Sequence, residues 1–198
     1  MRSLLVLPML ALTALLAGAA PAPPVVTDAE VELLRAGKMV IRTDVDENPH
    51  KMMGIVELDA PPSRIWKEIL DFDARLAENK PAKDYEVYKE YTEGPVRHIF
   101  ARWDLKILGQ EITYYNHYCY NESESHFWFS LDPELESDIA KADGYYRVVP
   151  SDLIDGGSRF VYVAETDSGR QMPDSIRGWL ANHAMKDMLK AIMRRVAD

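Results

Sequence analysis

The last two dozen residues constrain the fold of this chain more than any other stretch. Pro173 to Val196 is a helix-favouring run that opens on proline, has no glycine after Gly178 and is rich in methionine. Proline suits the first turn of a helix, where its missing N–H costs nothing. Before it, from Tyr85 onward, the chain reads as a long succession of strands. A sheet built that way has an apolar face to bury, and the terminal helix is the element long enough to cover it. At 100° per residue the helix carries two apolar stripes: Ile176, Trp179, Leu180, His183 and Ala184 on one face, and Met185, Met188, Leu189, Ile192 and Val196 nearly opposite. The phase changes near Ala184. Either the helix bends there, or its first half covers a cavity while its second packs elsewhere; a helix buried nearly all round is the plainer alternative.

Met1 to Ala20 has the layout of a secretory signal peptide: Arg2, an apolar stretch from Leu4 to Ala17, then Ala17-Gly18-Ala19-Ala20. The expectation is an exported protein, periplasmic or secreted. Residues 1–20 are its leader, 21–26 a flexible tether and 27–198 one domain. Of that domain, 27–50 is an N-terminal extension of helix and strand and 51–198 is the core. No later stretch is apolar enough to span a bilayer. The formal charge of −9, or −10 once Arg2 leaves with the leader, argues against nucleic acid or an anionic membrane as an electrostatic partner and leaves room only for transient membrane contact. Cys119 is the single cysteine, so no intramolecular disulfide can form and the core must hold the fold.

Thr27-Asp28-Ala29-Glu30 has the form of a capping box, and a short helix to Ala36 should follow. Strands are expected at Met39–Thr43 and Lys51–Leu58. Asp59-Ala60-Pro61-Pro62 then starts a helix, with Asp59 as its cap, Ile65, Trp66, Ile69 and Leu70 on one face, and Asn79-Lys80-Pro81 marking its far side. Between Val96 and Leu131 lie three β-rich runs separated at Leu108-Gly109 and at Asn121–Glu124. Pairing residues whose numbers sum to 217 in the first hairpin and to 245 in the second puts Ile99, Ala101, Trp103 and Leu105 with Ile112, Tyr114, Asn116, Tyr118, Phe127, Phe129 and Leu131 on one apolar, aromatic face. A slip of one residue would exchange the faces, so the coherence of this set is the reason for the register. Further strands are expected at Ala140–Val149 and Ser158–Thr166. Asn121-Glu122-Ser123 is formally a glycosylation sequon.

In its order of motifs the chain resembles the START-like or SRPBCC superfamily, the helix-grip fold of lipid-transfer domains, polyketide cyclases and coenzyme-Q-binding proteins. The likeness is carried by Val56-Glu57-Leu58-Asp59-Ala60-Pro61-Pro62-Ser63-Arg64-Ile65-Trp66, Asp71-Phe72-Asp73, Pro81, Gly144-Tyr145-Tyr146-Arg147-Val148, Gly157-Ser158-Arg159-Phe160-Val161-Tyr162 and Met172-Pro173. The resemblance implies an α+β fold in which a curved antiparallel sheet wraps around a long C-terminal α-helix. It also implies an elongated apolar cavity between them for a lipid, sterol, quinone or similar molecule.

The expected ligand-binding set is Trp103, Tyr114, Asn116, Tyr118, Phe127, Phe129, Tyr146, Tyr162, Leu180 and His183. Asn116 discriminates best, because a buried amide left without protein partners calls for water or a ligand head group. On the other face His98, Cys119 and His126 fall in one row under this register, with His117 a row away; an ordinary outer sheet face is expected there, and no metal or cofactor. No phosphate loop, nucleophile elbow or zinc-protease helix motif is present. The leading expectation is a carrier of a hydrophobic small molecule or lipid, without catalytic residues. A cavity enzyme of cyclase or hydrolase type, using His183, Tyr114, Tyr118 or Tyr146, is one alternative. An interaction module with a filled core is the other.

Overall fold

Thr27 accepts a hydrogen bond from the Glu30 backbone and its own N–H donates to the Glu30 carboxylate at 2.8 Å, closing the expected capping box on the first helix, α1 (Asp28–Arg35). The computed structural model describes residues 20–44, 50–79, 81–107, 109–169 and 174–197, with side chains for all of them except 44, 50 and 174–182. The leader, but for Ala20, lies outside the described residues. After α1 come β1 (Val40–Asp44), β2 (His50–Leu58), α2 (Pro62–Leu70), α3 (Phe72–Glu78), β3 (Ala82–Glu93), β4 (Val96–Ile107), β5 (Gln110–Asn121), β6 (His126–Leu131), β7 (Lys141–Pro150), β8 (Ser158–Asp167) and α4 (Asp174–Ala197). The strands form one antiparallel sheet in the order β1-β2-β8-β7-β6-β5-β4-β3. The architecture is α+β, a curved sheet with a C-terminal helix.

The N-terminal extension is part of that sheet. β1 adds a strand to its edge beside β2, and Leu34, Val40, Ile55 and Val161 bury one another on the outer face. Arg42 donates to the Glu30 carboxylate at 2.5 and 2.7 Å, and these bonds, with those from Thr27, hold that carboxyl down at about 2.

Two local expectations are corrected. Asp59 does not cap α2: the cap position is Pro61, with no side-chain hydrogen bond, and Pro62 fills the first turn. What reads as one helix is also two. Asp71 leaves helical geometry at ψ 85° and turns its carboxylate onto the Ala74 N–H at 2.9 Å, ending α2 and capping α3 in one residue.

The first hairpin pairs as expected, Val96 with Asn121 and His98 with Cys119, every pair summing to 217. In the second hairpin the pairs sum to 247 rather than 245: Cys119 faces Trp128, and His126 faces Asn121. Asn121 stays in the strand, and Ser125 closes the turn with a left-handed φ of 48°, moving the four-residue loop one place along the chain. The parity is unchanged, so the predicted faces survive while the row His98–Cys119–His126 does not. Asn121, the sequon asparagine, is 3 % exposed, and its side-chain Oδ1 accepts a hydrogen bond from the Ser123 hydroxyl at 2.8 Å.

α4 is continuous, and its second stripe enters the main core, with Met185, Leu189 and Ile192 fully buried and Met188 and Val196 packed beside them. It lies against β2 at Gly54, where a Cβ would sit 2.7 Å from both Leu189 Cδ1 and Met185 Sδ. Arg195 donates to the Glu68 carbonyl and Arg64 to the Arg195 carbonyl, each at 2.9 Å, fastening α4 to α2. Of the first stripe, His183 and Ala184 are exposed, and the side chains of Ile176, Trp179 and Leu180 lie outside the described residues.

Two predictions follow from this packing. A Cβ at Gly144 would lie 2.3 Å from the Val163 carbonyl oxygen and 2.5 Å from the Phe129 ring. Backbone cannot yield as the Met185 and Leu189 tips can, so Gly144→Ala should cost more than Gly54→Ala in denaturant unfolding, on the order of 2–3 kcal/mol. The second concerns His126, buried with neither ring nitrogen hydrogen-bonded among the described residues; burial, and then Arg147, pushes its pKa down to about 4. Below the ordinary histidine pKa of 6.5 the unfolded chain takes up this proton first, so the folded state loses stability as pH falls from 6.5 towards 4. His126→Phe should remove up to about 3 kcal/mol of that loss, seen as a flatter stability–pH curve than wild type.

Candidate functional site

Alternation along β5 turns Tyr114, Asn116 and Tyr118 to the inner face, with Trp103 paired opposite Tyr114 on β4. Tyr118 and Asn116 are 3 % and 5 % exposed. Phe127 and Phe129 of β6, Tyr146 of β7 and Tyr162 of β8 complete the set: Tyr118 lies 5.4 Å from Phe127, Phe127 5.1 Å from Tyr146, and Tyr146 4.8 Å from Tyr162 between ring centroids. Every sheet residue in the predicted set therefore converges. The two helix residues do not join them in the description: the Leu180 side chain lies outside the described residues, and His183 is exposed.

The centre of the cluster is a residue that the sequence reading missed. Arg75, on α3, places its guanidinium carbon 4.9 Å from the Phe72 ring centroid and 6.0 Å from those of Trp103, Tyr118 and Tyr146. Its N–H groups reach the Tyr146 hydroxyl at 3.5 Å and the Ile69 carbonyl at 3.4 Å, both long. Among the described residues no carboxylate lies within ion-pair distance of it. A signal was available: Phe72, Arg75 and Leu76 stand at three- and four-residue spacing, which sets a cation in the apolar stripe of its helix.

Polar groups next to Arg75 are half satisfied. Trp103 Nε1 and Asn116 Nδ2 both donate to the Tyr118 hydroxyl oxygen at 2.9 Å. That oxygen is filled as an acceptor, so its own proton is left to donate. Asn116 Oδ1 is buried and accepts no hydrogen bond among the described residues. The hydroxyls of Tyr114 and Tyr162 carry no hydrogen bond among the described residues. Burial raises the pKa values of Tyr114, Tyr118 and Tyr162, with Arg75 pulling the other way, so these phenols stay protonated and act as donors at neutral pH. An aromatic cluster with one cation, several O–H donors and one open amide oxygen carries the groups that recognise an oxygen-rich head attached to an apolar body.

No protein-family model matches the chain, and no curated protein matches it. Solved structures do. A START superfamily protein from Mycobacterium smegmatis is 20% identical, with 80% of this chain and 97% of that one covered and a TM-score of 0.59. A StAR-related lipid transfer protein from Xanthomonas axonopodis is 18% identical over 81% and 93%, with a TM-score of 0.60. The fold is START-like. An aromatase/cyclase from Streptomyces sp. R1128 has it too, at 13% identity over 79% and 92%, with a TM-score of 0.55. In this START-like fold the predicted aromatic set lies on the sheet face that holds the main core, where Phe127, Tyr118 and Tyr146 share one buried cluster with Met185 and Leu189 of the terminal helix.

Tyr118→Phe should strip Trp103 and Asn116 of their shared acceptor. Leaving two buried donors unmatched costs roughly 1–3 kcal/mol in unfolding free energy, and Tyr118→Phe combined with Asn116→Leu should recover part of it. An additive double mutant would mean that the hydroxyl does not tie these groups together.

Proposed function

We propose that this START-like protein binds one hydrophobic ligand between the sheet and α4 and carries it, with the ligand's oxygen-bearing polar head at Arg75, Tyr118 and Asn116. The observation that carries this reading is the pairing of an amide oxygen without a donor with an arginine without a carboxylate, both among the described residues. A buried amide oxygen without a donor and a guanidinium inside aromatic walls each cost free energy in a protein that binds nothing there. A carboxylate, phosphate or carbonyl head meets the guanidinium and the Tyr118 O–H, and a hydroxyl or protonated acid on the same head meets Asn116 Oδ1. The surrounding rings then bury the apolar remainder.

The same groups favour binding over turnover. Acid–base catalysis works best with a group whose pKa lies near the working pH, and the inner cluster offers phenols held protonated and a guanidinium. A carrier role also suits the N-terminal stretch with the layout of a signal peptide, since an exported chain with an apolar recess can take a lipid-like molecule across water. The acidic balance of the chain suits brief rather than electrostatic contact with membranes. No helix among the described residues is long and apolar enough to cross a bilayer.

A fluorescent fatty acid is a suitable probe for the purified protein. One equivalent should bind, and Arg75→Met should weaken it by roughly tenfold or more, the worth of a hydrogen bond to a charged group. Asn116→Ala should weaken probes that carry a donor on the head more than those without one. Equal affinity in wild type and Arg75→Met would place the head elsewhere. Absence of probe binding, together with an organic extract of the native protein free of lipid, quinone and sterol, would overturn the carrier.

A further inference from the structure

The strand that carries Asn116 and Tyr118 on the inner face also builds a second site on its back. His117 and Cys119 alternate with Asn116 and Tyr118 on β5, so they point to the outer face, and His98 of β4 is the cross-strand partner of Cys119. The three side chains converge on one point. His98 Nδ1 lies 2.9 Å from His117 Nε2, and Cys119 Sγ lies 3.4 Å from His98 Nδ1 and 3.3 Å from His117 Nε2.

From this triangle we infer that His98, His117 and Cys119 form a three-ligand site for a single zinc-class metal ion, with its fourth coordination position left to water. Two imidazole nitrogens and a thiolate are the donor types that borderline and soft ions prefer. Geometry agrees as well as chemistry. Around a tetrahedral zinc with Zn–N of ~2.05 Å and Zn–S of ~2.3 Å, ligand nitrogens stand roughly 3.3 Å apart and nitrogen and sulfur roughly 3.6 Å. The observed separations are within about half an ångström of these, so small side-chain shifts would let the three donors share one tetrahedral ion.

The surroundings hold the donors in place. Tyr91 stacks on His98 at 4.7 Å and 12°, and Phe100 stacks on His117 at 4.1 Å and 7°, so the orientation of both imidazoles is fixed by rings. Cys119 is 3 % exposed and His98 8 %, while His117 is only half-buried and opens the site towards solvent. His126, which shared a row with Cys119 in the sequence reading, pairs instead with Asn121 and is not a member. On binding, the Cys119 S–H bond breaks, a metal–sulfur bond forms and the proton passes to solvent.

The test uses tag-free protein kept reduced, titrated with Zn2+ against a chromophoric chelator and, separately, with Co2+ as a spectroscopic substitute. Wild type should take up one equivalent, show a thiolate-to-cobalt absorption band and gain thermal stability with the metal. Cys119→Ser and His117→Gln should each weaken Zn2+ by more than about a hundredfold, beyond what loss of an outer-shell group costs, and Cys119→Ser should abolish the band. His126→Gln should behave as wild type in all three readouts. His117, being half-buried, keeps the test valid if Cys119→Ser does not fold. A wild type without stoichiometric metal, or binding unchanged in His117→Gln, would reduce the cluster to a hydrogen-bonded triad and overturn the site.

Discussion

Strict alternation along β5 is the constraint on which both chemical regions depend. Consecutive residues Tyr114, Tyr115, Asn116, His117, Tyr118 and Cys119 deliver two phenols and an amide to one face, and a phenol, an imidazole and a thiol to the other. Because side chains in a strand have a period of two, a one-residue slip against β4 would bring His117 and Cys119 into the aromatic core and carry Asn116 out. The twelve cross-strand pairs from Val96↔Asn121 to Ile107↔Gln110, unbroken by any bulge, resist that slip. β3, on the other side of β4, does contain register breaks. They turn Tyr85 inward against Trp103 and Tyr91 outward against His98, so the edge strand contributes to both faces.

The inner face combines strong apolar burial with polar groups that are incompletely matched. Ile99, Phe127, Phe160 and Leu189 are essentially inaccessible to water, and each fully buried side chain of this size stabilises the fold by roughly 1.5–3 kcal/mol. That surplus can hold Arg75 and the open Asn116 oxygen in an environment that penalises both. Two other arginines meet carboxylates: Arg159 meets Glu57 at 2.6 Å on the outer face, and Arg195 sits between Glu68 and Glu78. Arg75 differs from these in facing rings instead of carboxylates, the contrast on which the proposed ligand head rests.

Much of this was legible from local pattern. The β4–β5 register follows from the inward set Ile99, Ala101, Trp103 and Tyr118 and the tight Leu108-Gly109 break. The α1 capping box follows from Thr27 and Glu30, and the buried stripe of α4 from Met185, Leu189 and Ile192. What local pattern concealed has specific causes. The β5–β6 pairing depended on whether Asn121 or Ser125 belonged to the turn, a choice made by the left-handed φ of Ser125. The split between α2 and α3 depended on which backbone N–H the Asp71 carboxylate would reach. His117 rather than His126 joins Cys119 because the pairing moved and because Phe100 and Tyr91 set the ring angles.

The sequence by itself determined the faces: alternation and helical spacing are properties of consecutive residues, and burial of apolar area then dictates which side turns inward. It also determined the fold class, since one long helix after a run of strands leaves few ways to cover a sheet. Only the tertiary structure decided which polar groups meet across those faces. Arg75 comes to Tyr118 from a helix more than forty residues away in the chain, and His98 comes to His117 and Cys119 from a neighbouring strand. Such meetings depend on ångström-scale crossing angles and ring orientations, which follow from the packing of the whole core and are written in no single stretch of it.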